Sequence, residues 1–175
     1  MERRDALLQG LELALKMEAD GKKYYQEASE ASSNEAGKKL FSILAKEEDD
    51  HARRFTEIYN HLKKENTWPK SCQEVVSKQE IRTIFAEALE EMSTDDVKFK
   101  TEIKAVEAAR KMEDESIALY MRLASQAKSE TERSFFDAII AEEREHSLAL
   151  NDYAEYLQDP AGWFGVKERH SLDGA

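Results

Sequence analysis

Cysteine, proline and glycine are scarce in this chain of 175 residues, which contains one, two and six of them, respectively. The single cysteine, Cys72, permits neither an intrachain disulfide nor a Cys-x-x-Cys metal or redox unit. Any bound metal would therefore be held by carboxylate and imidazole groups rather than by thiolates. Because helix breakers and β-branched runs are rare while helix-forming residues dominate, the composition predicts an all-α fold.

Long apolar segments and an excess of positive charge are also missing. Residues 1–20 contain no apolar run of the signal-peptide type, and no later segment approaches the roughly 20 apolar residues of a membrane span. The formal net charge is −11, and such an acidic surface repels nucleic-acid phosphates and anionic lipids. We therefore expect a cytoplasmic protein that binds neither nucleic acids nor membranes.

Six residues able to bind metal occur as two sets of three. The second set follows the first at a constant offset of 95 residues: Glu18, Glu48 and His51, then Glu113, Glu143 and His146. Neighbouring positions repeat at the same offset, among them Met17 with Met112, Tyr25 with Tyr120, and Phe41 with Phe136. Most other aligned positions differ. An apparent duplication has thus kept chiefly the possible metal ligands and some core positions.

The spacing of apolar residues predicts two helical hairpins in a single domain, 1–175. The first hairpin covers about 4–64, with N-cap hydroxyls at Ser32 and Ser33, and the second covers about 101–158, with a capping box at Ser129 and Glu132. A crossover of about 65–100, containing a short helix at 81–92, joins them, and a C-terminal tail occupies 159–175. A connection of this length is not a tight turn.

The distances along the chain place the carboxylates level within each hairpin. Glu18 lies 15 residues before Ser33 and Glu48 lies 15 residues after it, so both sit about 22 Å from the turn at 1.5 Å per residue. Glu113 and Glu143 stand in the same relation to Lys128. The two hairpins should therefore form a four-helix bundle with all six groups in one central layer.

These six residues match a known way of holding two metal ions. A Glu from each of two helices, with a Glu-x-x-His from each of the other two, binds paired iron or manganese in ferritin-like carboxylate proteins. Two divalent cations would cancel the charge of four carboxylates, whose burial alone is costly. A single Glu-x-x-His on a charged helix is usually surface decoration, but two at equal offset favour a site. The ligand types suit iron or manganese and do not exclude zinc.

Other residues near the predicted ligands leave alternatives open. Tyr25 and Tyr120 fall two turns after a predicted ligand on the same helical face, where they either pack in the core or donate a hydrogen bond to a ligand carboxylate. Glu47 and Glu142 could compete as ligands, although Glu48 and Glu143 fit the three-residue spacing to the histidines better. Lys22 either points outward or lies near the site as a charge partner.

With these motifs, the chain resembles the rubrerythrin-like branch of the ferritin-like superfamily. The resemblance extends from the Leu-rich first helix to the closing Asp-Pro-Ala-Gly-Trp-Phe segment at 159–164. It implies a homodimer and a non-haem diiron centre at the six residues, with manganese or zinc as substitutes. It also implies reduction of hydrogen peroxide or oxygen.

Two features depart from rubrerythrins. Their rubredoxin module needs four cysteines and is missing here, so that electrons would come from an external donor protein such as a rubredoxin. Rubrerythrins also carry an extra carboxylate one turn from the third-helix Glu, where this chain has Arg110 and Ser116. A symmetric site of six ligands remains.

The sequence supports three functions. The first is a diiron oxidoreductase of the rubrerythrin type, the second is a ferroxidase that handles iron as its substrate, and the third is a redox-silent metal-binding bundle. For all three, we expect raised carboxyl pKa values in the metal-free protein, because unneutralised carboxylates would be buried.

Overall fold

The computed structural model describes residues 3–70 and 99–160. These residues form four α-helices, α1 (Arg3–Ala31), α2 (Glu35–Glu65), α3 (Phe99–Ser125) and α4 (Glu130–Gln158), and contain no β-strand. The predicted all-α fold is confirmed. Cys72, the predicted helix at 81–92 and residues 161–175 of the tail lie outside the described residues.

An asparagine stands at each end of α2. Asn34, rather than a serine hydroxyl, caps α2, because its side chain accepts a hydrogen bond from Gly37 N at 2.8 Å. Gly37 has to be small, since an added Cβ would collide with the hydroxyls of Ser32 and Tyr153. Asn66 ends α2 with a φ of 56°.

The start of α4 follows the predicted capping box. Ser129 Oγ accepts a hydrogen bond from Glu132 N at 3.1 Å. A serine side chain in this place satisfies one of the backbone N–H groups that a helix start leaves without a partner.

The helices pack as two hairpins side by side, α1 against α2 and α3 against α4, with α1 also facing α3 and α2 facing α4. The start of α3 lies beside the turn between α1 and α2, where Glu102 accepts hydrogen bonds from Ser32 Oγ (3.0 Å), Ser33 N (2.5 Å) and Asn34 Nδ2. At the opposite end, Arg3 forms an ion pair with Glu132 at 2.7 Å. None of the described helices is long and apolar enough to cross a membrane.

This arrangement explains why the hairpins need a long connection. Because α3 begins at the end of the bundle where α2 also begins, the end of α2 and the start of α3 lie at opposite ends of the bundle. A helix of 31 residues is about 46 Å long at 1.5 Å per residue. The buried Glu102 and the Arg3–Glu132 pair then fix the two hairpins relative to each other.

The core consists of two apolar clusters with a polar layer between them. Along α2, Phe41 and Leu44 belong to one cluster and Phe55 and Ile58 belong to the other. Along α4 the order is reversed, because that helix runs in the opposite direction. Between the clusters, these two helices carry the two Glu-x-x-His motifs, whose Glu and His residues are buried.

Candidate metal centre

The structure brings together all six residues that the sequence singled out. Each of the six residues is at most 5% exposed. They form two groups, and in each group one nitrogen or oxygen atom from every residue lies within 4.8 Å of the others: Glu18, Glu48, His51 and Glu143, and Glu48, Glu113, Glu143 and His146. Glu48 and Glu143 belong to both groups, so each group has one unshared carboxylate and one imidazole.

Each shared carboxylate offers one oxygen to each side. Glu143 Oε1 lies 3.2 Å from His51 Nδ1, and Glu143 Oε2 lies 3.0 Å from His146 Nδ1. Glu48 divides in the same way, with Oε2 lying 3.8 Å from His51 Nδ1 and Oε1 lying 3.7 Å from His146 Nδ1. Each of these two carboxylates would therefore be able to bind a cation on either side.

Several atoms of the cluster are buried without a hydrogen-bond partner. Those that face the other members of the cluster are Glu18 Oε2, both side-chain oxygens of Glu143, and the Nδ1 atoms of His51 and His146. Buried polar atoms are rarely left unpaired, because each one costs free energy. Two divalent cations would give these atoms partners and cancel the four carboxylate charges. The residues present therefore fit a pair of metal ions, and their individual roles as ligands stay predictions.

Two tyrosines cross between the hairpins to hold the unshared carboxylates. Tyr25 Oη of α1 donates to Glu113 Oε1 of α3, and Tyr120 Oη of α3 donates to Glu18 Oε1 of α1. Burial, together with the adjacent carboxylates, raises the pKa of both hydroxyls well above their usual value, so both remain donors. Of the two alternatives from the sequence, the structure shows the hydrogen bond to a predicted ligand.

Glu142 holds a histidine in place. His51 Nε2 donates to Glu142 Oε2 at 2.7 Å, and the Arg54 guanidinium also donates to the Glu142 carboxylate. Although burial opposes the charge, His51 and Arg54 outweigh it and lower the pKa of Glu142 to about 2. The sequence reasoning missed Arg54. Its position three residues after His51, on the same helical face, was the available signal.

Lys22 lies away from the cluster. Its Nζ atom pairs with Asp49 Oδ1 at 2.5 Å, and the side chains are 37% and 64% exposed, respectively. The lysine therefore points outward, as one of the two alternatives predicted. An exposed pair of this kind contributes little to stability.

A cavity of about 190 Å³ between α1 and α3 reaches the cluster. Its lining includes the exposed Asp20 and Glu115 and the buried Glu48 and Glu113. Ser116, three residues after Glu113, also lines it. The small side chain leaves space from the exposed rim to two of the predicted ligands.

In the metal-free protein, raised pKa values favour the protonated forms of two carboxyls and both histidines of the cluster. Burial, followed by the charge of Glu143, raises the pKa of Glu113 to about 7 and that of Glu48 well above its usual value. Burial alone would lower the pKa of the histidines, but nearby carboxylates raise that of His146 to about 10 and that of His51 as well. Burial also disfavours the charged form of Glu143, yet the histidines hold its pKa well below its usual value.

We expect acidification to stabilise the metal-free protein. Carboxyls and imidazoles with a raised pKa contribute stability that is present at low pH and is lost as the pH rises through the folded-state value, about 7 for Glu113. Glu143 stays ionised above pH 5 because its pKa is lowered, so it does not oppose this trend. Thermal unfolding of chelator-treated protein should give a higher Tm at pH 5.5 than at pH 8.

The metal-loaded protein provides the control, because metal binding releases protons and weakens as the pH falls. The Tm of the metal-loaded protein should therefore be lower at pH 5.5 than at pH 8. Equal pH dependence of the two forms would contradict a buried metal site.

Comparison with known proteins gives one result. A family model described as Rubrerythrin matches residues 10–154, which include the six clustered residues and both tyrosines. No curated protein and no solved structure matches the chain.

Proposed function

The chain belongs to the rubrerythrin family, and from this premise we propose that it is a non-haem diiron oxidoreductase that reduces hydrogen peroxide with electrons from an external donor protein. The observation that supports the proposal most is the pair of buried Glu and His groups that share Glu48 and Glu143. Glu18 and His51 would complete one iron position, and Glu113 and His146 would complete the other.

When bound, two iron ions would supply two electrons, one from each on going from Fe(II) to Fe(III), and these electrons with two protons would reduce one hydrogen peroxide to two waters. Around them the chain supplies oxygen and nitrogen ligands that suit iron. Tyr25 and Tyr120 hold the unshared carboxylates by donating hydrogen bonds. Glu142 orients the His51 ring so that Nδ1 faces the cluster.

The cavity between α1 and α3 supports a small substrate. Its volume of about 190 Å³ is about six times the roughly 30 Å³ that one water occupies in the liquid. The rim carries Asp20 and Glu115, whose charges disfavour anions and leave neutral molecules such as hydrogen peroxide unopposed. Oxygen would fit as well, so the substrate has to be decided by reaction rates.

The partners of the protein are part of the same proposal. The single cysteine of the chain cannot form a four-cysteine iron site, so the electrons would come from another protein, such as a rubredoxin. We propose a homodimer in the cytoplasm. A homodimer in light scattering would agree with this, whereas a large hollow oligomer would favour the ferroxidase function.

The test is to load metal-free protein anaerobically with two equivalents of Fe(II) per chain and follow near-ultraviolet absorption in a stopped-flow instrument. We expect one equivalent of hydrogen peroxide to oxidise the iron much faster than oxygen does. Equal rates with the two oxidants would contradict the peroxidase function. Release of Fe(III) from the protein after oxidation would instead favour a ferroxidase.

Ser116→Leu tests the access route in the same experiment. The larger side chain should fill part of the cavity and slow oxidation by peroxide about tenfold, which corresponds to about 1.4 kcal/mol on the barrier. The variant should still bind two iron ions. Met121→Leu, at a half-exposed position on the same helix, is the matched control and should react like the unmodified protein.

A further inference from the structure

The distances between the atoms that would contact the two metals differ little between the two positions. His51 Nδ1 lies 3.3 Å from Glu18 Oε2, and His146 Nδ1 lies 3.6 Å from Glu113 Oε1. The shared Glu143 lies at similar distances from the two imidazoles. Any large difference in affinity between the positions has to arise from residues farther out.

The surroundings of the Nε2 atoms, on the side of each histidine ring away from the cluster, are different. His51 Nε2 donates to Glu142, which also accepts from the largely buried Arg54. The residue 95 positions after Arg54 is Ala149, which has no cationic side chain. The Nε2 atom of His146 is buried and has no hydrogen-bond partner. The duplication has therefore kept the ligands equal while the support behind them has become unequal.

This difference affects metal binding directly. An imidazole that binds a metal through Nδ1 carries its proton on Nε2, and a hydrogen-bond acceptor there fixes the tautomer and the ring orientation and makes Nδ1 a better ligand. The acceptor must itself be held in place, which Arg54 does for Glu142. For His146, binding through Nδ1 leaves a buried N–H without an acceptor, which is costly.

We propose that the two metal positions are unequal and that Arg54, acting through Glu142, makes the position at His51 the tighter one. The inference rests on the proposed binding of two metal ions and adds the order in which they bind. Removal of an outer partner of a metal-binding histidine typically costs 10–100-fold in affinity, so we expect the two dissociation constants to differ by about that factor. Arg54 is here a positioning residue.

The test uses Mn²⁺, which suits carboxylate ligands and binds weakly enough among divalent metals for two constants to be resolved. Metal-free protein is titrated by calorimetry, and free Mn²⁺ is counted by electron paramagnetic resonance. The unmodified protein should show two binding events. His146→Ala should keep the tight event and lose the weak one, whereas His51→Ala should lose the tight event.

Arg54→Ala makes the first half of the chain resemble the second at this position. It should bring the two constants within a few-fold of each other by weakening the tight event alone, and Glu142→Gln should do the same. Arg53→Ala is the matched control, because Arg53 lies beside it on α2, is exposed and pairs with Glu57. That variant should leave both constants unchanged.

Three results would overturn the inference while leaving the proposed function intact. They are two equal constants in the unmodified protein, a tight event that survives in His51→Ala and is lost in His146→Ala, and an unchanged ratio in Arg54→Ala. The histidine variants give an answer even if Arg54→Ala does not fold. Failure to bind any metal would overturn the proposed function and the inference together.

Discussion

Replacement of Glu143 by glutamine should abolish binding of both metal ions, whereas Glu18→Gln should abolish the binding of one. Glu143 offers one oxygen to each histidine side of the cluster, while Glu18 lies on the His51 side only. A neutral amide carries no negative charge and offers one carbonyl oxygen, so it neither bridges two cations nor binds either one as tightly as a carboxylate does. We expect at least a 100-fold loss of affinity at both positions in Glu143→Gln, the upper end of the effect of losing an outer partner.

The measurement is the metal-to-chain ratio after loading with Fe(II) without oxygen and removal of free metal. Glu48→Gln should behave like Glu143→Gln, because Glu48 is shared in the same way. Glu145→Gln is the matched control, since Glu145 lies on the same helix and is exposed. If Glu143→Gln retained one tightly bound metal, Glu143 would not be a shared ligand.

The central layer could be predicted from the sequence because helices are regular. Equal numbers of residues on either side of a turn place two side chains at one height, and a residue three positions along a helix shares a face with the first. Glu18 and Glu48 satisfy the first condition, and Glu48 and His51 satisfy the second. Glu113, Glu143 and His146 repeat both relations in the second hairpin. The duplication supplied the second half of the argument, since a chance Glu-x-x-His would not return at the same offset with its partners.

The support around the layer could not be predicted in the same way. The contact from His51 to Glu142 crosses from α2 to α4, and it depends on how each helix is rotated about its own axis. Periodicity gives that rotation only approximately. The sequence therefore left Glu142 as a possible competing ligand, whereas the structure shows it accepting hydrogen bonds from His51 and Arg54.

The cap of α2 shows a similar limit. Serine and asparagine are equally good N-caps, so the segment at Ser32, Ser33 and Asn34 offered several choices. A buried carboxylate from another helix decided between them, because Glu102 takes the two serine hydroxyls and leaves the Asn34 side-chain oxygen for Gly37 N.

Removal of both metals should lower the Tm by roughly 15–30 °C. At free metal about 1,000 times the dissociation constant, each site stabilises the folded state by about 4 kcal/mol, and about 1 kcal/mol shifts the Tm of a chain this long by about 2–4 °C. The metal-free state is weakened further at pH 8, where Glu113 loses its proton because its pKa is about 7. Calorimetric scans of loaded and chelator-treated protein at pH 8 measure the difference.

Glu113→Gln should reduce this difference from both sides. The loaded protein loses the metal held by Glu113 and becomes less stable, while the metal-free protein loses one buried charge and becomes more stable. The amide oxygen can still accept the hydrogen bond from Tyr25, so that packing is preserved. Glu107→Gln, at an exposed position on the same helix, should leave both Tm values unchanged. An equal Tm with and without metal in the unmodified protein would mean that the cluster does not bind metal in the folded state, because any ligand that binds only the native form must stabilise it.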